Sequence, residues 1–543
     1  MKKFKHLFWA ILLIGIVSCS DETPSPSNED SVLTEDVTFQ LEGEIKSVGL
    51  KEHYQTIIKE ASAGNDEESE MWLAYAQAQL DSADLIEKEY INQAGANWDP
   101  EWDQNADGSG NKNRHMGYEY ATIRYKSIDH NGNDVMLSSL VVWPFNNIIA
   151  DPDADHVIIG CHVTIGSNAE RPSNYSNLDF TTDVGMLASC AMSLMPGVVY
   201  ENLVIIPDYQ GYGATHGEIH PYLTQDLTAR QVIDGVRAGI KFYTEHLKHK
   251  LEDNWTSLSA GYSQGGSVAM AVQRYIEKNN LTAELKYKGS VCGSGPYDPK
   301  ATLKSYVTSD KVYMPVAAAM MMNSLCKTNP RLMGKYTPKD FLTQEFIDAG
   351  IIGMIDAKNM NTDEVNDSLL RYSIKFNKAD TDSLCMYRKA GDNFYPYRGD
   401  VKTDNKNKWA TGNKTSYAKT SDIMRPELIN WMKGVQDPAH KDKMEALVAA
   451  LNDNVLYTNW TPATSTFLFH TPGDEVVPIV NYENCLAAWK GSDKVKAFRC
   501  EGVTQTHVAY GEMFYIHDIS KGLRAIFGNN VDKYKFEQTL GGL

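Results

Sequence analysis

Gly261-Tyr262-Ser263-Gln264-Gly265-Gly266 is the stretch of this chain whose residue types and spacing could do chemistry. A Gly-x-Ser-x-Gly between a strand and a helix makes a tight turn. The glycines let a strained backbone close and let the helix pass near the strand, and the serine oxygen is lifted into the open. A serine hydroxyl is a poor nucleophile at its own pKa, so a base must take its proton and an acid must orient that base. Downstream, Phe467-Leu-Phe-His-Thr-Pro-Gly-Asp474-Glu-Val-Val-Pro478 places a carboxylate in the loop after an apolar strand. Phe498-Arg-Cys-Glu-Gly-Val-Thr-Gln-Thr-His507 places an imidazole in the loop after the next one. Ser263, Asp474 and His507 are therefore the expected nucleophile, acid and base. Of fourteen histidines only His507 and His517 follow Asp474, and His517 sits in a helical pattern. His470 ends a strand and reads as pocket lining or a local hydrogen-bonding group, and Glu475 adjoins Asp474 as the rival acid.

The elements around these residues alternate. Tyr118 to Phe145 reads as a hairpin with its turn at Asn131-Gly132. Short apolar runs at 156–160, 203–207, 255–260, 289–293, 465–469 and 494–500 read as strands. Between them, 228–243 is an amphipathic helix with Val232, Ile233, Val236 and Ile240 on one side, and a second helix runs from Ser267 to about Glu277. A hairpin followed by repeated strand–helix units predicts an α/β protein, a mainly parallel sheet with helices on both faces. Val37 to about Gln93 reads as helical. From Pro299 to Pro462 the alternation stops, and helical runs (314–325, 341–355, 426–435, 443–451) are separated by polar loops. Ser263 and Asp474 lie 211 residues apart, where two strand–helix steps need on the order of 60–80. The excess reads as an inserted helical cap.

The order Ser, Asp, His, each after a successive strand end, resembles the α/β-hydrolase fold over residues 115–300 and 460–543. That family's Asp-x-x-Val-Pro pattern selects Asp474 over Glu475. Cys161-His-Val-Thr-Ile-Gly166 resembles the His-Gly-Thr-Thr-Gly loop of the secretory-lipase branch, with Val163 in place of the usual glycine. Pro207-Asp-Tyr-Gln-Gly-Tyr-Gly213 and His220-Pro-Tyr-Leu223 resemble the same branch. The resemblance implies an oxyanion hole built from the amides of Gln264 and Thr164. It also implies substrate-binding roles for His162, Tyr209 and Tyr262, and a cap before the triad acid that binds apolar groups. Met314 and Met320-Met321-Met322 suit either such a lining or packing of the cap on the core. The expected division is a signal peptide (1–18), a polar tether (19–36), an N-terminal helical segment (37–114), a first core part (115–299), the cap (300–461) and a second core part (462–543).

Composition narrows the function classes. The 543 residues are 42% hydrophobic and 22% charged, with a net charge of −18. Such a surface repels phosphate backbones, which argues against a nucleic-acid partner. Eight cysteines are too few for a disulfide scaffold, and none has zinc-ligand spacing. Asp103 to Asn111 mimics half a calcium loop, but Arg114 stands where a bidentate glutamate is needed, so the stretch reads as a polar turn. No metal or cofactor is expected. The triad order and the resemblance together imply a serine hydrolase that cleaves small-molecule or lipid carboxylic esters. A serine peptidase of the same fold is the closest alternative. An acyltransferase and a non-catalytic surface-binding lipoprotein stand further off.

The chain opens with three lysines in its first five residues, and Leu7 to Val17 is an apolar run too short to span a bilayer. Ile16-Val17-Ser18-Cys19 resembles a bacterial lipobox, and Ser20-Asp21-Glu22 the acidic export tag of some Gram-negative lipoproteins. The expectation is a protein lipid-anchored through Cys19 to the outer membrane, facing the cell exterior, with the periplasmic face as the alternative. Removing residues 1–18 deletes Lys2, Lys3 and Lys5 and takes the net charge from −18 to −21. Cys19→Ala should abolish metabolic acyl labelling and release the protein from the membrane fraction; a variant still labelled and membrane-bound would contradict lipidation at this residue.

Overall fold

The structure is a computed structural model describing residues 37–64, 67–95, 115–148, 153–178, 182–195, 198–361, 364–365, 385–390, 393–398, 417–500 and 506–527. The lipobox, the whole of the tether at 19–36 and the calcium-like stretch lie outside these residues.

Strand β1 (Phe39–Gly49) leads into helices α1 (Leu50–Ala61) and α2 (Glu67–Ala94). The first of these elements corrects the helical reading of residues 37–49. β1 pairs antiparallel with β2 (Met116–Ile128), and its register shifts between Glu42 and Lys46, next to Gly43 at φ +82°. That irregularity breaks the two-residue alternation by which a strand is recognised. Beyond β1, α1 and α2 share an apolar seam that includes Tyr54, Ile57, Trp72 and Ala76.

β2 and β3 (Asp134–Asn146) form the expected hairpin. Its turn holds because Asp129 Oδ1 accepts from the amides of Asn131 and Asn133, each at 2.8 Å, and Gly132 takes φ +81° at no steric cost. The chain then lays down β4 (Ala154–Cys161), α3 (Asp183–Ser189), β5 (Met192–Met195), β6 (Val198–Pro207), α4 (Gln225–Lys241), β7 (Leu251–Tyr262), α5 (Gln264–Lys278) and β8 (Tyr287–Gly293). After the insertion come β11 (Ser465–His470), α13 (Val480–Ala488), β12 (Val495–Arg499), α14 (His507–Met513) and α15 (Ile519–Ile526). The strands lie in the order β1-β2-β3-β6-β4-β7-β8-β11-β12, with β5 on β6. From β6 onward this main path is parallel. Alternate strand residues cover opposite faces: Val204 and Ile206 join the layer of α3, α14 and α15, while Ile205 packs under Gly239 of α4. This is the α/β-hydrolase fold.

The insertion carries α6 (Pro299–Ser309), α7 (Pro315–Thr328), α8 (Gln344–Asp348), α9 (Ile351–Ala357), a two-stranded hairpin β9–β10 (Cys385–Ala390 and Asn393–Arg398), α10 (Thr420–Ile423), α11 (Pro426–Met432) and α12 (Lys441–Asp453). Its first helix starts cleanly because Asp298 accepts from the Ala301 amide at 2.8 Å and Pro299 sits at the first helical position. The insertion has its own core, in which Met320, Met321, Met322, Leu325, Phe341, Leu428 and Leu447 pack together. Met321 and Met322 are therefore packing residues; Met320 also borders a small cleft described below. Met321→Ala should destabilise the protein by about 2–5 kcal/mol, the usual cost of emptying a filled core site, as read by chemical denaturation. An unchanged midpoint would contradict this packing.

Candidate active site

Ser263 stands between the end of β7 and the start of α5 with φ +56° and ψ −123°. For a residue with a Cβ this conformation costs on the order of 1–3 kcal/mol and persists only where the surroundings impose it. They do so here through close packing. A methyl group on Gly261 or Gly265 would collide with the carbonyl oxygen of Cys161 at the end of β4. The Ser263 amide donates to Gly293 O of β8 at 2.9 Å. The turn is thus wedged between two neighbouring strands, and only glycine flanks fit.

His507 is the first residue of α14 and is held from three sides. Its Nδ1–H donates to Asp474 Oδ2 at 2.7 Å, its backbone N–H donates to Glu475 Oε2 at 3.0 Å, and its carbonyl accepts the Tyr262 hydroxyl at 2.7 Å. Nε2 remains, 2.8 Å from Ser263 Oγ. Asp474 is fixed in turn by the amides of Val476 and Val477, which donate to its Oδ1 at 3.1 and 2.7 Å. Burial alone would push the His507 pKa down, but the charge and hydrogen bond of Asp474, helped by Glu475, outweigh it and hold the imidazole above its ordinary range. Burial likewise works to raise Asp474, and the facing imidazole wins and holds that carboxyl low. The structure therefore brings together Ser263, His507 and Asp474, with the histidine in the tautomer that leaves Nε2 free to accept the serine proton.

The loop after β4 abuts the serine turn through the Cys161–Gly265 contact. Gln264, the first residue of α5, has a backbone amide with no acceptor inside its own helix. Val163 has its amide bound to Asp183 Oδ2 at 2.8 Å. Burial raises the Asp183 pKa to about 6. Thr164 is buried, its Oγ1 3.1 Å from the Tyr222 hydroxyl.

The three side chains for which the resemblance implies substrate contact are each engaged by neighbouring residues. His162, Tyr209 and Tyr262 are 0%, 2% and 3% exposed. His162 stacks on Tyr209 at 3.9 Å, and the Tyr209 hydroxyl donates to the His162 carbonyl at 3.3 Å. Burial drops the His162 pKa to about 4, so this ring is neutral packing. Tyr262 grips the histidine backbone. Their substrate-binding role is implied by the resemblance alone, and all three side chains are buried. His470 is likewise buried, with Nδ1 2.9 Å from Thr471 O, and His517 pairs with Asp518 outside the site.

Two site residues escaped sequence reasoning. Glu475 binds the His507 amide, although adjacency to Asp474 made it look only like a rival acid. His220 donates from Nδ1 to Gln210 O at 2.9 Å and accepts at Nε2 from the Gln264 side-chain amide at 3.1 Å. Burial drops its pKa to about 3, so it stays neutral and anchors the residue after the serine. His220 and Tyr222 also border a tight cleft with Tyr212, Met320, Asn323, Asp356 and Lys358. Among the described residues, no group of three or more His, Cys, Asp or Glu could hold a metal ion, and no helix is long and apolar enough to cross a membrane.

No protein-family model and no curated protein matches the sequence. Solved structures do. The chain is similar to the rice cell wall degrading esterase LipA from Xanthomonas oryzae, with TM-score 0.54 and 19% identity over 77% of this chain and 92% of that one. It is similar to the same degree to a putative hydrolase from Legionella pneumophila, with TM-score 0.54 and 18% identity over 77% and 91%. At these identities the likeness is one of fold.

The electrostatics make a prediction that needs no turnover. In an NMR pH titration, the His507 imidazole should gain its proton above the ordinary histidine range, because Asp474 stabilises the charged form. Asp474→Asn removes that charge and should move the midpoint to lower pH. A midpoint at or below the ordinary range in the unaltered protein would contradict the pairing.

Proposed function

We propose that this protein is a serine hydrolase that cleaves carboxylic esters through an acyl-enzyme intermediate. The observation that carries the reading is the hydrogen-bonded chain from Ser263 Oγ to His507 Nε2 and from His507 Nδ1 to Asp474, mounted on a strained turn. In the first half-reaction Ser263 Oγ attacks the ester carbonyl carbon while its proton passes to His507 Nε2. The carbonyl oxygen becomes an oxyanion, received by the backbone amides of Gln264 and Thr164. Collapse breaks the bond to the alcohol, which leaves with the proton from Nε2. Water then repeats the sequence on the acyl-serine and releases the acid. Asp474 keeps its charge throughout and stabilises the imidazolium. No step calls for a cofactor.

An ester fits better than a peptide with a free amine. Asp474 and Glu475 both turn to His507, so neither of these two carboxylates is directed at a substrate ammonium group. The esterase among the fold neighbours supports the same reading. The substrate is a small-molecule or lipid ester, and the lipobox-like N-terminus supports a lipid-anchored enzyme on the outer membrane of a Gram-negative bacterium.

Ser263→Ala or His507→Ala should lower turnover of a simple nitrophenyl ester roughly 10⁴–10⁶-fold, and Asp474→Asn about 10⁴-fold by favouring the wrong tautomer. Near-normal turnover in either alanine variant would overturn the assignment. A panel of nitrophenyl esters beside aminoacyl nitroanilides should show ester cleavage; a preference for the anilides would make the protein a peptidase.

A further inference from the structure

We propose that Glu475 is a positioning residue for His507, holding the histidine's main chain and placing a second negative charge beside its imidazole. The proposal rests on the reading of Ser263, His507 and Asp474 as a catalytic triad. Its geometry is local and specific. At the start of α14 the first amides have no acceptor within the helix. Thr506 takes the amide of Ala509 at 3.4 Å. The amide of His507 goes instead to Glu475 Oε2 at 3.0 Å, across 32 residues of sequence.

The acid that orients the imidazole and the acid that holds its backbone are neighbours in one turn. That turn is itself fixed, because the Asp474 amide donates to Thr471 O at 3.2 Å and Asp474 Oδ1 takes two amides of its own. A shift of the Glu475 contact would therefore move the histidine relative to Asp474. The Tyr262 hydroxyl on the His507 carbonyl completes the grip. With N–H, C=O and Nδ1 all held, the remaining freedom of the residue is small, and Nε2 is delivered to the serine at a set distance. Catalytic groups must be held this closely, since displacement of about 1 Å can cost on the order of 10²-fold in rate.

The charge acts alongside the hydrogen bond. The titratable groups facing this corner are Asp474, Glu475 and His470 from β11 and its turn, Tyr262 from the serine turn, and Tyr306 from α6, whose hydroxyl donates to Val476 O. Burial keeps His470 neutral and holds both tyrosines protonated. The carboxylates of Asp474 and Glu475 are thus the charges of this corner that act on the His507 imidazolium. Burial, with Asp474 beside it, raises the Glu475 pKa.

The test is a set of pH–rate profiles on a nitrophenyl ester for the unaltered protein, Glu475→Ala and Glu475→Gln, with Ser263→Ala as the blank. Glu475→Ala should lower kcat on the order of 10- to 100-fold, leave KM within about twofold, and move the acid limb to lower pH. Glu475→Gln keeps an acceptor oxygen but no charge, so it should recover most of kcat while the acid limb stays displaced. Unaltered kcat and acid limb in both variants, or a lower kcat with the limb unmoved, would overturn the proposal. Should the alanine variant fail to fold, an unmoved limb in the glutamine variant alone overturns it. The NMR titration of His507 in the same variants reads the charge effect without turnover. Activity in the unaltered protein no greater than in Ser263→Ala would instead defeat the triad reading.

Discussion

The rest of this site depends on a backbone conformation that serine does not choose for itself. Ser263 sits at φ +56° because its amide is tied to β8 and its flanking glycines are pressed against the end of β4. The strain is offset by the packing of three parallel strands, so the sheet and the reactive hydroxyl are one construction. The same wedge sets the loop after β4 beside the serine, where an oxyanion would need its donors.

Around that fixed point His507 is held by residues borrowed from the neighbouring motifs. Tyr262 precedes the serine and Glu475 follows the acid, and both bind the main chain of His507. Each motif therefore supplies a chemical group and a brace for another motif's group. Deeper in, His220 stays neutral and holds the side chain of Gln264, while Asp183 takes the Val163 amide. Val163 is not among the residues at positive φ, so its backbone conformation accepts a side chain. The insertion has an apolar interior of its own, and its methionines Met320, Met321 and Met322 are buried in it.

Much of this was legible in the residues. The order of serine, acid and histidine, each after an apolar strand, located three groups that come within hydrogen-bonding distance, because strand ends in a parallel sheet share one edge. The hairpin at Asn131-Gly132 and the helical insertion were legible for equally local reasons, turn chemistry and apolar periodicity. What escaped was set by long-range contacts. β1 was hidden by the register shift near Gly43, and its strand character comes from pairing with β2 residues 68 to 86 positions away. The inward turn of His162, Tyr209 and Tyr262 follows from how loops fold over strand ends, which no short-range pattern records. Glu475 was read as a competitor of Asp474 because adjacency in sequence says nothing about which atom a carboxylate reaches.

The central claim is that Ser263 is the nucleophile and that His507 activates it. It is tested most directly by intact-protein and peptide mass spectrometry after treatment with a fluorophosphonate, which reacts with activated serines. The account predicts a single adduct on Ser263 that forms rapidly in the unaltered protein and is suppressed by His507→Ala. An adduct on another residue, or labelling of Ser263 at the same rate without the imidazole, would contradict it.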